Sequence, residues 1–246
     1  MAEDEAADAR DEAVDAAADD WEKIAREPGT AMNLPILDLS GVRDRSELKC
    51  QRLVNVGLAL VPEDIPDLLS GVACINVGAV LPVPAGTKVE TRIGQTEMSG
   101  SALAAGDDKT ILMVIGQVVV TPPVTRVGYR SVALIGQIVL PKEAEALLTG
   151  KVISQVGQIA YYDGLNPRVF FEDTRLARAF FDLVDKPETL VLLGDTTFAA
   201  DVTPELFRAK VAGVAIIGDV TLENADLRSV LQFLARTQFG EIHVAS

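Results

Sequence analysis

Aligned on glycine, the chain repeats itself. "LVNVGLALVP" (53–62), "CINVGAVLPVP" (74–84), "TRIGQTEM" (91–98), "LMVIGQVVVTPP" (112–123), "VALIGQIVLPKE" (132–143) and "ISQVGQIAYYDG" (153–164) are followed by "LVLLGDTTFA" (190–199), "VAIIGDVTLE" (214–223) and "TQFGEIHVA" (237–245). The glycines, Gly57, Gly78, Gly94, Gly116, Gly136, Gly157, Gly194, Gly218 and Gly240, are spaced by 21, 16, 22, 20, 21, 37, 24 and 22 residues. A period near 21 is the signature of a solenoid, in which each coil buries its apolar face only against its neighbours. The step of 37 fits a coil whose glycine has been lost, and "LDLSG", ending at Gly41, reads as a weaker first coil.

The columns of the alignment assign roles. The residue before glycine is Val56, Val77, Ile93, Ile115, Ile135, Val156, Leu193 and Ile217, never polar, so this column is expected to face the core. β-rich runs on both sides of a Gly-Gln or Gly-Asp pair read as strand, corner, strand, with glycine giving the backbone freedom a sharp bend needs. "PEDIPDLLSG", "PKEAEALLTG" and "TPELFRAKVAG" follow as short helices, marked by a leading proline and a closing glycine. The expected fold is therefore α/β: one solenoid of about nine or ten strand–corner–strand–helix coils of roughly 21 residues. Gln95, Gln117, Gln137 and Gln158 share one column, and corners about 4.8 Å apart would let their amides form a hydrogen-bonded ladder.

Further columns raise questions of function. Asp195, Asp219 and Glu241 stack in the equivalent place in the last coils. Hard cations take carboxylate oxygens, yet no known calcium-loop spacing accompanies these acids, and Gly-Asp is ordinary turn chemistry on a wet edge. The latter reading is preferred, with the acid column kept as a weak metal candidate. Val114 and Leu134, two before the corner, and Val119 and Val139, three after it, are expected to point outward, forming an apolar patch for the N-terminal tail or another subunit to cover. The segment 161–187 interrupts the period and holds Tyr161, Tyr162, Phe170, Phe171, Phe180 and Phe181. "TRLARAFFDLV" has helical spacing and reads as a longer helix sealing the core, with a docking surface as the alternative.

Charge separates the two ends. Net charge is −14, and residues 1–30 alone hold 11 acidic against 3 basic side chains. Residues 1–30 are expected to be an acidic, Ala-rich tail and 31–246 the solenoid, with "EPGT" (27–30) as linker. Val14, Trp21 and Ile24 lie on a thin apolar stripe of that tail. The tail is either disordered or a helix that docks on the body or a partner, and Trp21 favours docking.

Composition narrows the function classes. No basic cluster is present to displace counterions from nucleic acid, so no nucleic acid is expected as partner. No apolar run approaches the ~20 residues that span a bilayer, and the start of the chain lacks a secretory pattern. Cys50 and Cys74 form no disulfide framework, which fits a cytoplasmic setting. His243 is the sole histidine, with no triad partners nearby in the sequence. No cysteine pair has zinc-ligand spacing and no phosphate-binding glycine loop occurs. No catalytic residue and no cofactor are expected.

The period and the strand-plus-helix coil resemble leucine-rich repeats, without their Leu consensus and without an Asn column beyond Asn55 and Asn76. The stacked glycine corners and Val/Ile strands are similar to bactofilins, polymer-forming bacterial cytoskeletal β-helices, which lack intervening helices. Both resemblances cover residues 36–245 and imply a structural or interaction protein with no catalytic residues. The expectation is a non-enzymatic scaffold that self-associates or presents a protein-binding surface; "FGEIHVAS" reads as a final strand without a polar cap, an open edge. The alternatives are a module recruiting a partner through its acidic N-terminal segment and, behind it, an enzyme with an acid-lined groove.

Overall fold

A computed structural model describes residues 29–164 and 166–245; Val14, Trp21 and Ile24 lie outside the described residues. The chain is strand-rich, and every strand pair is parallel. Three strands, β1 (Gly29–Asp38), β2 (Cys50–Pro62) and β3 (Ala73–Val83), form the first sheet in chain order. β4 (Lys88–Ser99), β5 (Thr110–Thr121), β6 (Ser131–Pro141) and β7 (Val152–Tyr162) form the second. In the last third the long strands split in two. β8 (Pro167–Phe170), β10 (Glu188–Leu192), β12 (Val211–Ile216) and β14 (Ala235–Gln238) make one sheet. β9 (Thr174–Leu176), β11 (Thr196–Phe198), β13 (Val220–Leu222) and β15 (Ile242–Val244) make the other.

The three groups differ in how the strand bends. In β4–β7 the bend falls at glycine: Gly94, Gly116, Gly136 and Gly157 have φ between +88° and +131°. They pair in register, as do the glutamines after them. In β1–β3 the non-glycine residues with positive φ are Asn33, Asn55 and Asn76, at +53° to +58°, a conformation asparagine tolerates better than other side chains. Gly57 and Gly78, two residues further on, serve close approach instead: a Cβ on Gly78 would lie 2.5 Å from the Gly57 carbonyl oxygen. The first unit is thus centred on Asn33, with Pro35 opposite Gly57, and not on the "LDLSG" segment. β1 also takes in Gly29 and Thr30, so these belong to the sheet and not to a linker.

Residues 161–187 do not form an irregular insertion around a long helix. They hold a complete unit, in which β8 pairs with β10 and β9 with β11. The missing glycine is Glu172, whose backbone sits where a Cβ on Gly194 would collide. Only Arg178–Asp182 is helical there (α3 below), because "TRL" is needed as a strand. "PEDIPDLLSG" forms turns and no helix, since Pro66 lacks the N–H and crowds the preceding turn. The column before glycine is buried at Val56, Leu193 and Ile217, but Ile93 is 54% and Val156 49% exposed. In β4–β7 the positive φ falls on the next residue and turns this side chain outward.

Helices close the open side of the units. α1 (Gly100–Ala104) and α2 (Glu145–Leu148) place Leu103 and Leu148 on a core with Leu112, Val114, Val118, Leu134 and Leu140. α3 (Arg178–Asp182), α4 (Pro204–Lys210) and α5 (Leu227–Leu234) close the third group. α4 starts as its sequence predicts, with Thr203 accepting from the Leu206 N–H and proline in the first turn. Phe181, Phe198 and Phe207 are fully buried there, with Phe198 and Phe207 edge-to-face at 5.2 Å.

The groups lie side by side. Leu58, Leu60 and Val83 of the first pack on Ile111, Met113 and Ala133 of the second. Val119, Val139, Ala160 and Tyr162 of the second pack on Val191, Leu193, Ala215 and Ile217 of the third. The outward apolar patch is therefore covered by the chain's own C-terminal sheet at Val119 and Val139. Val114 and Leu134 are not part of it, being buried inside the second group.

Close stacking at the glycine corners generates a stability prediction. A Cβ on Gly136 would sit 2.1 Å from the Gly116 carbonyl oxygen, whereas one on Gly94 would meet nothing within 4 Å. Both positions have positive φ, so Gly94→Ala is expected to cost about 1–2 kcal/mol from backbone strain alone. Gly136→Ala is expected to cost about 2 kcal/mol more, because backbone cannot yield as a side chain can. Urea unfolding of both variants under monomeric conditions checks the difference.

Candidate functional site

What the parallel register brings together is three ladders at the corners. In the first group Asn55 donates its side-chain amide to Asn33 Oδ1 at 2.8 Å, and Asn76 donates to Asn55 Oδ1 at 2.9 Å. In the second, Gln95 donates to Gln117 at 2.9 Å, Gln117 to Gln137 at 2.8 Å and Gln137 to Gln158 at 3.1 Å. In the third, the carboxylates accept backbone amides. Asp195 N–H donates to Asp173 Oδ1 at 3.0 Å, Asp219 N–H to Asp195 Oδ1 at 3.0 Å and Glu241 N–H to Asp219 Oδ1 at 2.9 Å. Stacked acids repel, but each carboxylate that accepts an oriented N–H is stabilised by a charge-assisted bond. The Asp195 and Asp219 carboxylates are thus engaged by backbone, whereas Glu241 joins the ladder through its N–H alone. Among the described residues no group of three or more His, Cys, Asp or Glu side chains is placed to hold a metal ion.

The aromatic candidates face inward or lie along seams. Tyr162 is 2% exposed and donates its hydroxyl to the Val120 carbonyl at 2.7 Å; burial raises its pKa. Tyr161 is half-buried beside the second core, its pKa also raised chiefly by burial, with the Lys142 ammonium over its ring. Phe170 packs with Phe180 on the third core, and Phe171 packs in the seam between the second and third groups. Tyr129, missed in the sequence, is 3% exposed, and its hydroxyl is pushed up to about 12 by burial and then by Glu90. A Cβ on Gly106 would collide with its ring, so the two define one tight stacking contact.

Other reactive groups are dispersed. Cys50 is buried and Cys74 exposed, both unpaired thiols. His243 lies on β15, its Nε2 3.7 Å from Glu241. A shallow groove of ≈ 370 Å³ beside the asparagine ladder is lined by Asn55, Gly57, Asn76 and Ile135 and carries no titratable group. Among the described residues no helix is long and apolar enough to cross a membrane.

The unsatisfied surface is at the ends of the stacks. Among the described residues β1, β3, β4, β7, β8, β9, β14 and β15 each pair on one side only. Exposed apolar side chains lie along them: Met32 on β1, Ile75 and Val80 on β3, Ile93 on β4, Val156 on β7, Phe239 after β14 and Val244 on β15. The second and third groups run the same way. Gln95 of β4 reaches the Phe171 carbonyl at the first corner of the third group, at 3.5 Å. Thr237 of β14 donates to the Tyr161 carbonyl of β7. Starting edges therefore share one end of the molecule and finishing edges the other.

No protein-family model, curated protein or solved structure matches this chain significantly.

Two predictions follow from the side-chain network. Gln137 both accepts and donates in its ladder, so Gln137→Leu is expected to cost about 1–2 kcal/mol, against about half that for Gln95→Leu at the ladder's end, by urea unfolding. The Arg168 and Arg175 guanidiniums hold the carboxyls of Glu188 and Glu223 below their ordinary values. Such groups stabilise fully above the unfolded glutamate pKa of about 4.3, and the contribution is lost as pH falls through the lower folded value. The double variant Glu188→Gln/Glu223→Gln should therefore unfold with a flatter acid limb below about pH 4.5, while its stability relative to wild type improves as pH falls.

Proposed function

We propose that the chain is a non-enzymatic scaffolding solenoid, three side-by-side stacks of strand–corner–strand units, that self-associates through its strand edges. The observation that carries this reading is the set of one-sided edge strands bearing exposed Ile93, Val156 and Val244. Unpaired parallel edges with apolar side chains are templates for further strands, and soluble proteins commonly blunt them with lysine, proline or a covering helix. β7, "VISQVGQIAYY", carries no charged side chain. No catalytic role is proposed, since the repeated polar side chains at the corners are engaged with one another or with backbone.

A second reading rests on the charge of residues 1–30, which would recruit a basic or amphipathic partner. Light scattering on the full chain over a hundredfold concentration range, repeated on a 1–236 truncation, separates the two. Mass that grows with concentration, and growth that is lost in the truncation, is the expected result. A strict monomer at every concentration would overturn the scaffold reading. Loss of partner binding on deleting 1–28 would then support recruitment.

A further inference from the structure

The ladders have direction, and direction makes the two ends of the molecule unlike. In the third group each N–H donates to the carboxylate of the preceding unit. The first member, Asp173, therefore presents a backbone N–H with no acceptor among the described residues. The last, Glu241, presents a carboxylate that accepts no backbone N–H among the described residues. A carboxylate only accepts and a backbone N–H only donates, so this polarity cannot be reversed by rotating a side chain. The glutamine ladder runs alongside, with Gln95 Oε1 left over at the starting end and Gln158 Nε2 at the finishing end.

Resting on the scaffold reading, we propose that the finishing end of one copy docks on the starting end of a second copy, head to tail, continuing the second and third groups in register. Asp173 N–H of the next copy then donates to Glu241, and Gln158 donates to its Gln95. The apolar columns continue as well. Within one chain Ile93, Ile115, Ile135 and Val156 occupy one register, as do Leu176, Phe198, Leu222 and Val244. Across the junction exposed Val156 meets exposed Ile93, and Val244 meets Leu176. The glycine column agrees. Each Cβ in it would strike the preceding unit, and only Gly94, the first, has open space on that side within its own chain. A second copy placing Gly157 there requires glycine at 94. A two-fold contact of finishing ends would instead set Glu241 against Glu241. The head-to-tail contact is heterologous, so it propagates into a filament or closes into a ring.

Neighbouring parallel strands bring paired Cα atoms to about 4.8 Å, within the roughly 4.4–6.8 Å a disulfide spans. In a C74S background, full-length I93C and V156C chains, both substituted at exposed positions, are mixed and oxidised mildly, with each variant alone as control. Folding of each is checked by circular dichroism. The expected result is a mixed disulfide dimer as the main product and self-dimers at background. V156C self-dimers as the main product would establish a two-fold contact and overturn the inference. Mass growing with concentration but no mixed crosslink would also overturn it while leaving the scaffold reading standing. Absence of both growth and crosslink would remove both. An independent control comes from G94A, which is expected to retain the fold while losing concentration-dependent mass; retained assembly in G94A would contradict the register.

Discussion

Everything in this structure hangs on the close approach of one strand corner to the next. Parallel strands repeat about every 4.8 Å, and a bend in each strand brings backbone against backbone at that spacing. At the glycine corners there is no room for a Cβ: on Gly157 it would lie 1.9 Å from the Gly136 carbonyl oxygen. A corner so tight strips water from one side of its polar groups, so whatever polar side chain sits beside it must find its partner in the neighbouring units. Identical residues at identical places meet that demand most simply. The chain does so with asparagine, with glutamine and with aspartate, each in its own group.

The three solutions are physically distinct. Asparagine accepts the left-handed backbone itself, so bend and ladder reside in one residue, and the glycine two positions on only clears space. Glutamine is longer and follows a glycine that makes the bend, which leaves its amide to both donate and accept along the stack. Aspartate cannot donate and therefore takes the backbone N–H of the next unit. A negatively charged column is tolerable because every acid is exposed to screening solvent and each inner carboxylate holds an N–H. In that third group the bend separates two short strands, and a larger aromatic core replaces the aliphatic one.

Side chains repeated at a fixed period were legible, because a column of glutamines or aspartates needs no knowledge of what packs elsewhere. The alternation of faces was harder. A single residue of positive φ shifts which side chains point in, so Val114 and Leu134 belong to the interior while Ile93 and Val156 turn out. The unit at Glu172 was legible only as a 37-residue step, a coil without its glycine, and its strands were not, because no glycine marks the corner. Asn55 and Asn76 make the bend themselves, and the glycine two positions on, which marks the period in the sequence, does not. The side-by-side packing of three stacks lay furthest from view. Its contacts, such as Leu58 on Met113 or Val119 on Val191, join residues far apart in sequence, and no local period records them.

That packing also explains why strands in the middle of the molecule are apolar on both faces. β5 and β6 bury Leu112, Val114 and Leu134 inward and Met113, Ala133, Val119 and Val139 outward, against the flanking groups. With both faces occupied, the freedom left to these strands lies along the stacking axis alone. Growth in that direction repeats contacts the chain already makes internally, at the same spacing and with the same side chains. A stack of parallel strands closed at its ends would interrupt its columns with charge or with a covering element. Here the columns reach the last described strands still carrying Val156 and Val244, and still in register. Directional ladders then decide the sense of any continuation, since only unlike ends offer a donor to an acceptor.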